Sequence, residues 1–237
     1  DSFGDIMQGD GDGDRNAEAG IFEGSEEGSE ALGEIMNGNG QGSEQPHAHE
    51  LGVVLFQMLR VGNGLHLQHV GIGQRCGGIV QRGRLELGVV YNPYVGDFYV
   101  AERGSGAFLN ERRLKVSTID TLERSLLATG FAYDHKKCKA NNYDYFTRFQ
   151  KEAQACRRPG AASLDLASVA AGRFDGFWEL KLKPWDLAAG ILLIEEAGGL
   201  VSNFDGLPMT LELQECMASN QLIHGEMQAI LQKGCRP

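Results

Sequence analysis

Lys183-Pro-Trp-Asp-Leu-Ala-Ala-Gly190-Ile-Leu-Leu-Ile-Glu-Glu-Ala-Gly-Gly199 reads as an apolar helix that opens on a single acid, Asp186, and closes on paired glycines. A carboxylate in the first turn suits the positive end of the helix dipole. Backed by Trp185, Asp186 is placed to hold a divalent cation in a partly dry site, so the chemistry expected at this position is metal chemistry. An acid at a helix start is also a common capping residue, and Asp186 alone would signify no more than that.

Outward from this helix the chain alternates between strand and helix patterns. Upstream, residues 174–180 read as a strand, and residues 163–171 as a helix that follows the turn formers Pro159-Gly160. Residues 140–155 have the polar and apolar spacing of a surface helix. Residues 84–91 and 97–102 read as two strands of a hairpin across Asn92-Pro-Tyr-Val-Gly96, and residues 114–117 and 125–129 as further strands. Downstream, short strands at 200–203 and 216–219 precede a last amphipathic helix over 223–232. The alternation implies a layered α/β or α+β arrangement over residues 81–237.

The first fifth of the chain is of another kind. Residues 1–50 set thirteen acids against one arginine, and they concentrate Gly, Ser and Gln around isolated apolar residues. Such a segment buries too little apolar surface to offset the cost of ordering, and is expected to be disordered. The net charge of −10 therefore resides in this segment, and the near-neutral remainder shows no basic stripe for a nucleic-acid backbone. Residues 51–80 fit neither helix nor strand periodicity and are left unassigned. Five cysteines, odd in number and without a C-x-x-C pair, read as reduced thiols of a cytoplasmic protein; neither a signal segment nor a membrane-spanning run is found.

Several constellations weaken when weighed against their duller alternatives. Asp12, Asp14, Asn16 and Glu23 fall at calcium-loop positions, but Ala17 stands where the turn requires glycine. His47, His49, His66 and His69 have ligand-like spacing without an element to fix it. Arg157-Arg-Pro-Gly160-Ala-Ala-Ser-Leu-Asp165 is a better candidate, because a glycine and alanines at a helix start leave backbone N–H groups uncovered for phosphate or hydroxyl oxygens. Glu179 reads by itself as a strand-end surface carboxylate. The Gly160 segment, Glu179 and Asp186 within one short span favour a site.

Gly88-Val-Val-Tyr-Asn-Pro93, Gly104-Ser-Gly-Ala-Phe-Leu-Asn110, Arg157-Arg-Pro-Gly-Ala-Ala-Ser-Leu-Asp-Leu-Ala167, Gly172-Arg-Phe-Asp-Gly-Phe-Trp-Glu179 and the Trp185-Asp186 block with Glu196-Ala-Gly-Gly199 resemble, in order and spacing, the inositol monophosphatases. The resemblance runs from about residue 81 to the C-terminus. It implies a layered α-β-α-β-α sugar-phosphatase fold with its N-terminal part unrecognisable, a homodimer, and a magnesium-dependent phosphomonoesterase acting on a small phosphorylated polyol such as inositol phosphate. It further implies Asp186 as a metal ligand, Gly160, Ala161 and Ala162 as the helix-start segment that contacts substrate, and Glu179 as the acceptor of inositol hydroxyls. Ala161, where the family often has Ser or Thr, offers only its backbone.

The family's Asp-Pro-Ile/Leu-Asp-Gly-Thr motif, which supplies most of its metal-binding carboxylates, does not occur in the sequence. Ser25-Glu-Glu-Gly28 imitates the family's glutamate segment but lies in the acidic stretch. A lone carboxylate cannot organise magnesium ions, which need several oxygen ligands, so impaired catalysis is expected and no catalytic residue is assigned. The alternatives are a sister phosphatase acting on a sugar bisphosphate or 3′-phosphonucleotide, and a non-catalytic binding or regulatory relative.

Overall fold

The structure is a computed structural model that describes residues 55–61, 64–71, 74–81, 83–138 and 141–233, with side chains from residue 76 onward. Residues 1–50, with the calcium-like loop, Ser25-Glu-Glu-Gly28, His47 and His49, lie outside the described residues.

Seven strands form one antiparallel sheet in sequence order: β1 (Leu55–Val61), β2 (Gly64–Gly71), β3 (Gln74–Gln81), β4 (Arg84–Asn92), β5 (Asp97–Glu102), β6 (Gly106–Leu109) and β7 (Arg112–Arg113). The segment left unassigned by its periodicity thus supplies three strands, and His66 and His69 fall on β2. Their registers, Val61 opposite Gly64, Gly71 opposite Gln74 and Gln81 opposite Arg84, leave two-residue connections, the shortest a hairpin uses.

A second, five-stranded sheet has the order β11-β12-β10-β8-β9, from β8 (Leu126–Thr129), β9 (Ala155–Arg157), β10 (Gly176–Leu180), β11 (Leu200–Ser202) and β12 (Glu215–Ser219). β10 runs parallel to β8 and antiparallel to β12. Helices α2 (Ala162–Ala170) and α3 (Pro184–Glu196) lie between the sheets, and α1 (Tyr143–Glu152) and α4 (His224–Gln232) cover the far face of the second. The described layers are therefore β-α-β-α, and the outermost α layer of the expected α-β-α-β-α order has no member among the described residues.

The sequence of α3 dictates its central place. Every residue from Leu187 to Ile194 is buried, so the helix is apolar all round and needs neighbours on all sides. Those neighbours come close because bulk is missing at the contacts. A Cβ on Gly88 of β4 would stand 2.9 Å from the Ala189 Cα, and one on Gly190 would stand 2.5 Å from the Leu166 Cβ of α2.

Two expectations are corrected. Residues 114–117 are extended but belong to no strand: Leu114 donates to the Ala107 carbonyl (2.7 Å) and Val116 to the Ala197 carbonyl (3.2 Å), each a single bond to a different element. Residues 103–113, where the pattern suggests no strand, instead hold β6 and β7. Their two-residue turn places Asn110 (φ 45°) and Glu111 (φ 70°) in the left-handed region that such hairpin turns require.

Candidate active site

The alternation of β10 aims its side chains. Trp178 and Leu180 join the cluster beneath α1 and α4, whereas Phe177 packs toward α2 and α3. With period two, Glu179 shares the Phe177 face, and it is 8% exposed in the layer between the sheets. It is a buried acid rather than the strand-end surface carboxylate that its sequence alone suggests.

The Glu179 carboxyl lies against Gly130, the residue after β8. A Cβ at Gly130 would clash with both carboxyl oxygens, so any side chain there would force the acid to shift from its place. Behind this seat, the Asn142 side chain donates from Nδ2 to Thr129 Oγ1 and to the Gly130 carbonyl, 2.7 Å each. Asn142 Oδ1 accepts the Trp178 indole N–H at 2.7 Å, and Thr129 Oγ1 donates to the Trp178 carbonyl. The Trp178 ring stacks on Phe149 of α1 with centroids 4.0 Å apart.

Helix α2 supplies the next wall. Gly160 turns the chain with φ +97°, Ala161 is the extended N-cap, and neither Ala161 nor Ala162 is buried. The Ala161 carbonyl accepts the Asp165 N–H at 2.9 Å. No side chain caps this helix, so its first N–H groups form a half-exposed donor set suited to phosphate or hydroxyl oxygens. Asp165, which the sequence reading did not single out, is 2% exposed, and its Oδ2 has no hydrogen-bond partner.

Asp186 is in the first turn of α3, reached from β10 by a tight passage in which Lys181 has φ +62°. Its Oδ2 accepts the Lys183 N–H at 3.0 Å, as an acid at that position of a helix does. Asp186 is half-buried.

Electrostatics shows that these groups converge. Burial pushes the Glu179 carboxyl up to about 8; the nearby charges of Asp165 and then Asp186 add to the rise, and Arg158 opposes it. Burial also pushes Asp165 up to about 7, against a backbone hydrogen bond from Ala161. Two buried carboxyl groups, both pushed up from the ordinary carboxyl range, suit hydrogen bonding to hydroxyls.

The fit to magnesium is correspondingly poor. Among the described residues, no group of three His, Cys, Asp or Glu side chains is arranged to hold a metal ion, and Asp186 is one carboxylate where several oxygen ligands are needed. Also among the described residues, no helix is long and apolar enough to cross a membrane.

Comparison with known proteins agrees with this layout. The model of the inositol monophosphatase family matches residues 76–234. The inositol-1-monophosphatase of Synechocystis is 46% identical over 145 residues, 61% of this chain and 50% of its own. The Nus factor SuhB of Pseudomonas aeruginosa is 50% identical over 141 residues, covering 59% and 52% respectively. Among solved structures, the inositol monophosphatase of Anabaena superposes with a TM-score of 0.67 at 40% identity, over 68% of this chain and 67% of that one. SaIMPase-II with inositol monophosphate bound gives 0.60 at 26% identity, over 67% and 62%. The chain spans about half the length of the curated relatives it matches. On its motifs, its layers and a family match over most of its length, the chain belongs to the inositol monophosphatase family.

Proposed function

We propose that this chain carries the polyol-holding part of a phosphomonoesterase site of inositol monophosphatase type, and that by itself it binds a small phosphorylated polyol without efficient turnover. The observation that carries this reading is the set of charged groups that act on Glu179: Asp165 in the first turn of α2, Asp186 and Arg158. SaIMPase-II, a structural relative, holds inositol monophosphate.

In this reading the N–H groups at Gly160 and Ala162 meet phosphate or hydroxyl oxygens beside Ala161, whose N–H is held by Asp165, and Glu179 pairs with a ring hydroxyl. A protonated Glu179 both donates and accepts, so it satisfies a hydroxyl without adding charge beside an incoming phosphate. Asp186 is the residue assigned to a magnesium ligand set, and the described residues do not complete that set. Inefficient turnover follows from this shortfall.

The test is calorimetric titration of the chain with inositol 1-phosphate, with and without magnesium, beside a malachite-green assay of phosphate release. Binding without release is expected. Magnesium-dependent release at a rate typical of phosphatases would overturn the impairment, and absence of both binding and release would overturn the polyol-phosphate reading. Sugar bisphosphates and 3′-phosphonucleotides in the same assay separate the sister activities. Retained binding with no release on any of them supports the non-catalytic relative, which the absence of a metal-holding cluster among the described residues favours.

A further inference from the structure

Asn142 occupies the position where an asparagine ordinarily caps a helix, immediately before α1. Its side-chain oxygen is the group that would accept the first free N–H groups of the helix. It makes no such bond here. Asn142 is 2% exposed, and its amide is spent on three contacts elsewhere: Thr129 Oγ1, the Gly130 carbonyl and the Trp178 indole. Both amide protons and the oxygen are matched to groups of the correct sense, so the orientation of the amide is fixed. The helix keeps its backbone start, with Phe146 donating to the Asn142 carbonyl at 2.9 Å, and forgoes its side-chain cap.

The groups Asn142 grips flank one acid. Gly130 is the surface on which the Glu179 carboxyl rests, and Trp178 is its neighbour on β10. β8 and β10 are parallel partners with Thr129 opposite Trp178, so the next residue on each strand is Gly130 and Glu179. A link across both strands at this level sets the separation on which the seat depends. We propose that Asn142 is a positioning residue that holds the Glu179 carboxyl in its place between β8 and α2, through the Gly130 carbonyl and the Trp178 indole. This inference deepens the reading of Glu179 as the polyol ligand and rests on it for its functional meaning.

The position of the carboxyl is read directly by its titration, in protein labelled with ¹³C at glutamate carboxyls. One glutamate is expected to titrate near pH 8 and to vanish from the spectrum in Glu179→Gln. Asn142→Leu keeps the bulk of the side chain and removes all three bonds without adding charge. The Glu179 midpoint is then expected to fall by at least about one pH unit as water reaches the loosened carboxyl. Gly130→Ala, which fills the seat, is expected to do the same. If Asn142→Leu does not fold cooperatively, Trp178→Phe, which removes the indole donor together with part of the ring, serves in its place. A folded variant whose Glu179 midpoint equals that of the parent overturns the proposal. Inositol 1-phosphate binding, measured on the same samples, separates the two readings. A shifted midpoint with at least tenfold weaker binding supports both, whereas a shifted midpoint in a protein that never bound the ligand leaves Asn142 positioning Glu179 and removes the polyol reading alone.

Discussion

Ser202 has one hydroxyl proton, and it goes to the Asn203 carbonyl at 2.7 Å. Its 2.9 Å contact with His224 Nε2 must therefore be a donation from the ring, which leaves Nδ1 to accept from Ser219 Oγ at 2.8 Å. This proton count assigns His224 as neutral and protonated on Nε2. Burial lowers the affinity of the ring for a second proton. The unfolded chain therefore binds more protons as pH falls below about 6.5, and native stability declines in that direction. Thermal melts between pH 7.5 and 5 are expected to show this decline, and His224→Asn should flatten it; an unchanged slope in the variant would assign the decline to other groups. Glu179 has the opposite sign. Its folded carboxyl titrates near 8 against an ordinary 4.5, so the folded state holds the extra proton, and stability is lost as pH rises through that interval. Glu179→Gln, neutral at all pH values, is expected to be more stable than the parent by about 1–3 kcal/mol above pH 8 and similar to it below pH 5, measured by urea unfolding. A gain in stability on removing an acid identifies a group retained for binding rather than for folding.

Among the elements, the two ends of α3 have different tasks. The N-terminal end presents Asp186 to the cleft, and the C-terminal end ties the helix to the first sheet. Glu196 accepts the N–H groups of Gly104 (2.9 Å) and Gly106 (3.0 Å), while Arg103 pairs with Glu195 at 2.6 Å. Glu196→Ala is expected to cost about 1–3 kcal/mol in urea unfolding, because the buried Gly106 N–H loses a charged acceptor, and Glu196→Gln to cost less. Equal stability of parent and alanine variant would show that the bonds contribute nothing net. These contacts explain why Gly104-Ser-Gly106 and Glu196-Ala-Gly-Gly199 occur together, which the sequence displays as two distant motifs. Where an apolar run is bounded by turn or cap residues, as in α3, β4 and β5, elements are legible without a structure. Where an element is defined by its partner rather than its own pattern, they are not. Leu114 and Val116 alternate as a strand would yet have no partner strand, and β6 and β7 pair across a turn signalled only by Asn110. The burial of Glu179 was hidden for the same reason, since the face of a strand is decided by which helices lie on it.

At the scale of the whole molecule, the folded layers and the chemistry of the cleft come apart. Two sheets and four helices assemble among the described residues, and the relatives that match at TM-scores near 0.67 share that frame. The frame was legible from motif order, and the Gly160, Glu179 and Asp186 blocks stood out as candidates; Asp165, Gly130 and Asn142 did not, because their contacts join strands and helices far apart in sequence. The core is apolar from Cys76 to Leu231, and no metal-holding cluster occurs within the described residues. A ligand that binds only the native state raises stability by RT ln(1 + [L]/Kd), about 2.7 kcal/mol at one hundred times Kd. A chain whose candidate cation ligand among the described residues is the single half-buried carboxylate of Asp186 should show almost none of this with magnesium. The expected outcome is a melting temperature that changes by less than about 1 °C between excess EDTA and 5 mM magnesium, the concentration set by the experimenter, since even 1 kcal/mol moves a domain of this size by about 2–4 °C. Adding inositol 1-phosphate at saturating concentration should raise the melting temperature with or without magnesium, because the α2 N-terminus and Glu179 are in place before any ion arrives. A large rise with magnesium alone would mean that further carboxylates join Asp186, and it would restore the case for turnover by this chain.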